Sequence, residues 1–199
     1  MLMCEEQHIA QHHALALCVN GWSLSASGET EKGSAQIAQG VDSYGGLGSS
    51  KHILLALQAD AQLAIGKPEA ALVSVTAGLK VVDRIGGAPF EAELWRLRGE
   101  ACLAGAGTVS EAETAMLRGI DVARQQSAKS FELRGATSLA RLWRQQGRQQ
   151  EAAALLAPVY GWFQEGFDTA DLQAARTLLD ELGSPVAAPG QSTSATSPD

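Results

Sequence analysis

The residue types best suited to metal chemistry lie close together at the N terminus. They are Cys4, His8, His12 and His13. On a helix, Cys4, His8 and His12 would share one face, because each follows the last by four residues, and thiolate and imidazole are zinc ligands. No second Cys pair completes a closed site. We therefore interpret the cluster as polar side chains on a frayed N-terminal helix and predict no metal.

A second candidate is the charged stretch with Glu91, Glu93 and Glu100 interleaved with Arg96 and Arg98. Neighbouring carboxylates can act as a general acid and base. Opposite charges three and four residues apart also pair along an exposed helix, which explains the pattern without catalysis. Serine, histidine and aspartate occur, but not as a nucleophile elbow or an ordered triad. We predict no catalytic residues and a protein that is not an enzyme.

The glycine-rich stretch Gly45-Gly-Leu-Gly-Ser-Ser-Lys51 is the nearest approach to a phosphate-binding loop. A P-loop ends in Gly-Lys-Ser/Thr and follows a strand. This stretch lacks that ending and follows a segment with helical periodicity. We therefore predict no nucleotide and no other cofactor.

Aromatic residues are densest near the C terminus, at Tyr160, Trp162, Phe163 and Phe167 around Pro158. Aromatic side chains dominate interaction hot spots, so the group could anchor a partner. The alternative is that they pack the last repeat against a terminal helix, and this is the interpretation we favour. Pro158 should kink or interrupt its helix, because proline lacks the amide hydrogen that the helix uses.

The elements that must position these residues follow a pattern that recurs roughly every 40 residues. Each copy has a helix with one small residue, a short turn usually marked by glycine, and a second helix that opens with an acidic-Ala pair. The small residue lets two antiparallel helices approach closely. The equivalent small residues are Gly21, Ala59, Gly99 and Ala140, and the acidic-Ala pairs are Glu69-Ala70, Glu111-Ala112 and Glu151-Ala152.

This pattern predicts an all-α fold, a tetratricopeptide-like superhelix of about four helix pairs with a C-terminal capping helix. From Ser184 onward, small residues and proline replace large apolar ones, which predicts a disordered tail. The predicted divisions are a lead-in at 1–7, a repeat domain at 8–183 with units at about 8–48, 49–87, 88–127 and 128–165 and a cap at 168–183, and a tail at 184–199.

Composition limits the function. Of 199 residues, 45% are hydrophobic, enough for a folded core, and no apolar run approaches the length of a membrane span. The start lacks the basic and apolar regions of a secretory signal, so we expect a cytoplasmic protein without a membrane partner. Its three cysteines have no C-x-x-C spacing and are expected to be small buried hydrophobes.

A net charge of −7 argues against nucleic acid as a partner, because phosphate binding needs a concentrated basic surface. One basic group does occur, but Glu132 and Glu151 flank it, which indicates a solvated helix face. Its members are Arg134, Arg141, Arg144 and Arg148.

Three segments carry a family resemblance, at residues 91–100 (EAELWRLRGE), 128–143 (AKSFELRGATSLARLW) and 156–172 (LAPVYGWFQEGFDTADL). They resemble the C-terminal tetratricopeptide-like region of large bacterial signalling proteins. In those proteins a class III adenylate or guanylate cyclase domain, or a transcriptional-regulator domain, precedes an AAA-like ATPase module and the repeats. The resemblance covers residues 8–183, and it implies that the repeats bind a partner and regulate the other modules.

Our first hypothesis is therefore a non-catalytic scaffold, the detached sensor or regulatory module of a signalling protein. Its inner groove would receive a protein or peptide. A cyclase or ATPase module is one candidate for this partner. The apolar stripe places Asp60, Arg96, Arg134 and Arg141 outward, in this groove. Substituting the three arginines should then weaken binding and leave stability nearly unchanged.

The alternative is the C-terminal regulatory part of an adenylate cyclase or ATPase-type transcriptional regulator whose catalytic domains lie outside this chain. Recruitment-based transcriptional regulation is a third possibility, and it would need a DNA-binding module that this sequence does not show.

Overall fold

A computed structural model describes residues 2–44 and 50–183, and within these ranges the chain is helical without strands. The all-α prediction is confirmed. The described α-helices are α1 Leu2–Ala26, α2 Thr30–Ser43, α3 Lys51–Ala64, α4 Pro68–Ile85, α5 Glu91–Ala101, α6 Val109–Gln125, α7 Lys129–Gln145, α8 Gln149–Tyr160 and α9 Ala170–Glu181, and a π-helical turn, Cys102–Ala106, follows α5.

The helix ends follow from local sequence. Pro68 is the first residue of α4, where its missing amide hydrogen costs no helical bond. Gly86 then ends α4 in the left-handed conformation, with φ at 77°. Thr108 and Glu111 form a reciprocal capping box at the start of α6. Ser50 directly precedes α3, but its side chain makes no capping hydrogen bond.

The helices form two layers. Each helix packs against the next along the chain, and the odd-numbered helices also contact one another in succession, from α1 through α3, α5 and α7 to α9. We call these odd-numbered helices the inner layer and α2, α4, α6 and α8 the outer layer. Each inner helix after α1 is therefore in contact with the inner helix of the preceding pair.

The recurring small residues lie where inner and outer helices meet. A Cβ atom at Gly21 would lie 2.7 Å from the carbonyl oxygen of Gly33 on α2. A Cβ at Gly99 would lie 2.6 Å from Cγ of Met116 on α6. Ala59 is fully buried, as is Ala140 at the equivalent place in α7. The close helix approach predicted from these positions is confirmed at both glycines.

The second recurring position needs one correction. Ala112 and Ala152 are fully buried, as their place in the pattern requires, but the buried residue near the start of α4 is Ala71 and not Ala70. Because α4 begins at Pro68, the fourth residue of the helix is Ala71, and the fourth residues of α6 and α8 are Ala112 and Ala152. Glu69 is therefore the second residue of α4, whereas Glu111 and Glu151 are the third residues of α6 and α8.

The cysteines whose side chains are described behave as small buried hydrophobes. Cys18 is fully buried between α1 and α2, and burial raises the pKa of its thiol to about 11. Cys102, in the π-helical turn, is 5% exposed, and its pKa is also raised by burial. The side chain of Cys4 lies outside the described part.

The C-terminal aromatic group packs mainly into the core. Tyr160 is buried, and its ring lies 5.9 Å from that of Phe167. Phe163 packs against the same cluster, whereas Trp162 is 57% exposed and Lys129 lies over its ring. Helix α8 continues past Pro158 and ends two residues later, at Tyr160.

None of the helices in residues 2–44 and 50–183 has the length and apolarity that crossing a membrane requires. The predicted tail at 184–199 lies outside the described residues.

Candidate functional site

The candidate site is a small pocket, of about 200 Å³, on the inner layer. Helices α3, α5, α7 and α9 each contribute to its wall, so it spans three successive helix pairs and the last helix. We call it the ionic pocket, and its lining residues are Asp60, Arg96, Arg134, Thr137, Ser138, Arg141, Asp171 and Ala174.

A buried ion pair forms the floor of the ionic pocket. Arg96 donates from Nε to Oε2 of Glu93 at 2.9 Å and from Nη2 to Oε1 of Glu93 at 2.7 Å. The two side chains are 11% and 5% exposed. Such a bidentate pair fixes both groups in position. Burial by itself lowers the pKa of Arg96, but the carboxylates of Glu93, Glu100 and Asp60 raise it by more, so the guanidinium stays charged.

Two further carboxylates surround Arg96. Oδ1 of Asp60 lies 3.6 Å from its Nη2 and Oε1 of Glu100 lies 3.5 Å from its Nη1. Ser138 on α7 donates a hydrogen bond of 2.6 Å to the same Glu100 oxygen. Burial raises the pKa of Asp60 above its usual value, Arg96 opposes this, and the charge of Glu93 adds to it. The floor thus joins α3, α5 and α7 through one polar network.

The charged groups at the rim of the pocket form fewer ion pairs than Arg96 on the floor does. Arg134 forms an ion pair with Glu93, with its Nη2 2.8 Å from Oε1, and its side chain is 34% exposed. Arg141 and Asp171 are exposed, and among the described residues neither is joined to another side chain by an ion pair. A cationic and an anionic group on the rim therefore remain available to a ligand.

The structure brings together all four residues that the sequence predicted for the groove. The outward placement predicted for Arg96 is wrong, however, because only 9% of the residue is exposed and it is held by Glu93. The interpretation of residues 91–100 as an exposed helix is also wrong at Glu93, which is 4% exposed. The inner helices α3 and α7 flank α5 and bury this face.

Sequence reasoning missed four members of the pocket, namely Thr137, Ser138, Asp171 and Ala174. The signal for the first two was present, because Ser138 follows Arg134 by four residues and precedes Arg141 by three, on one helix face. Nothing in the repeat pattern pointed to Asp171, since α9 lies outside the repeated helix pairs.

The basic cluster of α7 and its following turn is largely neutralised by carboxylates. Arg144 pairs with Glu181 on α9. Arg148 donates to Glu113 at 2.8 Å and stacks on Trp143, with its guanidinium 4.4 Å from the ring centre. Of the four arginines in the cluster, Arg141 is the one without an ion pair among the described residues.

The other candidates from the sequence lie elsewhere. The side chains of Cys4 and His8, like residues 45–49 of the glycine-rich stretch, fall outside the described part. Across 11–44 and 50–183, where side chains are described, no group of three or more His, Cys, Asp or Glu side chains is placed to hold a metal ion.

A second cavity, of about 430 Å³, lies on the outer surface of α4 beside the π-helical turn. Its wall is mainly apolar, and Val73 in it is 71% exposed. Glu69 and Lys80 are its charged residues. It has no polar network comparable to the one below the ionic pocket.

The chain matches no protein-family model, no curated protein and no solved structure. The geometry of the ionic pocket is therefore the basis for assigning a function.

Proposed function

We propose that this protein is a non-catalytic, tetratricopeptide-like scaffold that binds a protein or peptide along its inner helices, with the ionic pocket as the point of contact. The observation that carries the proposal is the arrangement of the pocket, in which free charges at the rim stand above a floor of charges fixed by one another. Such a surface can recognise a charged group without itself rearranging.

The size of the pocket supports a peptide side chain as the bound group. Pockets for cofactors and other small molecules have volumes of roughly 300–1,000 Å³. The ionic pocket, at about 200 Å³, is smaller. It can hold one charged or polar side chain while the rest of the ligand lies along the inner layer.

The chemistry of the rim indicates what that group would be. Arg141 and the remaining donors of Arg134 suit a carboxylate, since guanidinium groups bind carboxylates with paired hydrogen bonds. Asp171 on the facing helix suits a donor, such as an amide or an amine. We infer that the bound segment presents an acidic residue towards α7 and a donor towards α9.

The carboxylates of the described core support a binding role over acid/base chemistry. Burial raises the pKa of Glu132, but hydrogen bonds from Lys129 and Arg124 outweigh this and hold it below its usual value. Glu93 is likewise in contact with two cations, Arg96 and Arg134. Groups fixed in this way by two cations stabilise the packing of helices.

The proposal is tested by binding to an array of immobilised peptides of varied sequence. We expect the wild type to select a subset of peptides enriched in Asp or Glu, and Arg141→Glu to weaken these by at least about tenfold. Arg118→Glu is the matched control, because Arg118 is exposed on the outer helix α6. It should bind as the wild type does.

Two results would overturn the proposal. One is a wild-type protein that selects no peptide above background. The other is an equal loss of binding in Arg141→Glu and Arg118→Glu, which would show that overall charge, and not the pocket, determines binding. Asp171→Lys gives an independent check, because it should shift the selected peptides towards more acidic sequences.

The sequence resemblance described above makes a cyclase or ATPase module one protein class to test as the partner. The same pair of arginine variants applies, with a purified module of that class in place of the peptides.

A further inference from the structure

The inner helix α1 exposes three apolar residues on one face. Leu15, Val19 and Trp22 are 43%, 53% and 52% exposed. Their spacing of four and three residues places them on the same side of the helix. Tryptophan is among the residues that contribute most to binding when a partner covers them. The chemistry of the partner follows from where this face lies in the inner layer.

The repeat pattern places this face in line with the ionic pocket. The three α1 residues lie six and two positions before, and one position after, the recurring small residue Gly21. The recurring small residue of α7 is Ala140, and the residues at the same three positions of α7 line the ionic pocket. They are Arg134, Ser138 and Arg141. The apolar face of α1 and the pocket wall of α7 are therefore equivalent parts of one surface.

Helix α3 connects these two parts. Its residues at the equivalent positions are Ile53, Leu57 and Asp60, and all three are partly exposed. The side chain of Asp60 is 45% exposed and lines the ionic pocket. Because α1 packs directly against α3, the apolar face begins one helix away from the edge of the pocket. We call the surface that runs from the three α1 residues across α3 to the ionic pocket the two-part groove.

Helix α5 forms the floor between α3 and α7. At its equivalent positions Glu93 is 4% and Leu97 is 1% exposed, and the side chain of Glu100 is 32% exposed. A ligand that runs along the inner layer therefore passes over mostly covered side chains at α5. The exposed groups that it meets are charged at α7 and α9 and apolar at α1.

We propose that the peptide segment bound in the ionic pocket extends to α1 and places an apolar side chain against Leu15, Val19 and Trp22. This rests on the peptide-binding function proposed above and adds a second requirement to the bound sequence. A charged or amide side chain at this place would lose water to apolar neighbours without gaining a partner, whereas an apolar side chain gains from burial. The bound segment is therefore acidic at one point and apolar at another.

The dimensions of the inner layer set the distance between those two residues of the ligand. Packed helices lie roughly 8–10 Å apart, so the three steps from α7 to α1 span about 24–30 Å. An extended peptide advances about 3.3 Å per residue and covers this span with about seven to nine residues. The donor that faces α9 lies on the other side of the acidic residue, because α9, α7 and α1 follow one another in that order along the layer.

Fluorescence anisotropy with labelled synthetic peptides and the full chain tests the inference. Each peptide has a Gly-Ser background, a Lys for Asp171, an adjacent Asp for Arg141, and one Phe. The Phe is moved in single steps to about fourteen positions from the Asp, on the side away from the Lys, and both chain directions are made. A Phe at about seven to nine positions should raise the affinity about tenfold over the peptide without Phe, and other spacings should raise it by less than about twofold.

Variants of two exposed tryptophans separate a specific contact from general apolar attraction. Trp22→Ala should remove most of the gain given by Phe and leave the affinity for the Phe-free peptide unchanged, and Val19→Ser should do the same. Trp162→Ala is the matched control, because Trp162 is 57% exposed and follows the outer helix α8, and it should keep the full gain. Arg141→Glu should weaken all the peptides to a similar extent, since it acts on the ionic pocket.

The inference is wrong if Phe gives no gain at any spacing, or if the gain persists in both Trp22→Ala and Val19→Ser. These results leave the proposed function intact as long as Arg141→Glu still weakens binding. Peptides that bind Arg141→Glu as tightly as the wild type would instead refute the proposed function.

Sedimentation without peptide provides a check on the occupant of α1. A wild-type dimer that Trp22→Ala dissociates would assign this face to a second copy of the chain and overturn the inference. Circular dichroism of each variant should match the wild type, because the substituted side chains are exposed.

Discussion

Replacement of Arg96 by methionine should destabilise the protein through the carboxylate that it leaves behind. Glu93 is 5% exposed at its side chain and receives two hydrogen bonds from Arg96. Methionine keeps much of the apolar volume of the arginine stem but donates no hydrogen bond. Arg134 remains as the one cation bonded to Glu93.

The expected loss in the free energy of unfolding follows from the cost of removing one partner of a buried ion pair. Such a loss is typically about 3–5 kcal/mol, and because Arg134 keeps its ion pair with Glu93 we expect about 3 kcal/mol for Arg96→Met. Arg118→Met, at an exposed position on α6, should change the free energy of unfolding by less than about 0.5 kcal/mol. Urea unfolding followed by circular dichroism measures both.

The double variant separates the buried charge from other effects. In Glu93→Gln/Arg96→Met the uncompensated carboxylate is gone, so part of the stability lost in Arg96→Met should return. A value for Arg96→Met that equals that of Arg118→Met would refute the reasoning. It would mean that Glu93 is adequately solvated or that Arg134 alone compensates it.

Three further predictions concern stability. The pKa of Asp60 is raised in the folded state, so Asp60 stabilises the fold when it is protonated. This stabilisation is complete below the usual pKa near 4 and is lost as pH rises through the pKa of the folded state. Asp60→Asn should remove this loss of stability with rising pH. Urea unfolding of both proteins from pH 4 to 7 measures it, and an equal dependence of the free energy of unfolding on pH in the two proteins would contradict the prediction. Gly33→Ala should lose about 1–3 kcal/mol despite better helix propensity, because the added methyl contacts the carbonyl oxygen of Gly21; a rise in thermal midpoint would exclude the clash. Thr108→Ala should lose about 1 kcal/mol by removing the capping box with Glu111, and unchanged unfolding in urea would show that the box contributes nothing.

The helices and turns could be predicted from sequence because their signals are local. Pro68 at the start of a helix, Gly86 at the end of one and Gly147 in a turn act through their own backbone conformations. The small residues at 21 and 99 indicated close helix contacts for the same kind of reason, since a missing side chain leaves room at one place. One error in this part was a shift of one residue at Ala71.

The burial of the charged residues could not be predicted in this way. Periodicity within α5 shows that Glu93 and Arg96 share a face, but the same spacing describes an exposed ion pair and a buried one. The difference arises because α3 and α7 lie on both sides of α5 and supply Asp60, Arg134 and Ser138. Those contacts join residues more than thirty positions apart in the sequence.

The sequence by itself therefore determined the helical class, the positions of most helix ends and the small residues at which helix pairs meet, because these depend on groups within a few residues of one another. Only the tertiary structure decided that Arg96 belongs to the floor of the ionic pocket while Arg141 and Asp171 lie exposed at its rim. It also decided that Leu15, Val19 and Trp22 on α1 are exposed in the described part of the chain. The exposure of a side chain depends on which neighbouring helices cover it, and that is a property of the stacked layers as a whole.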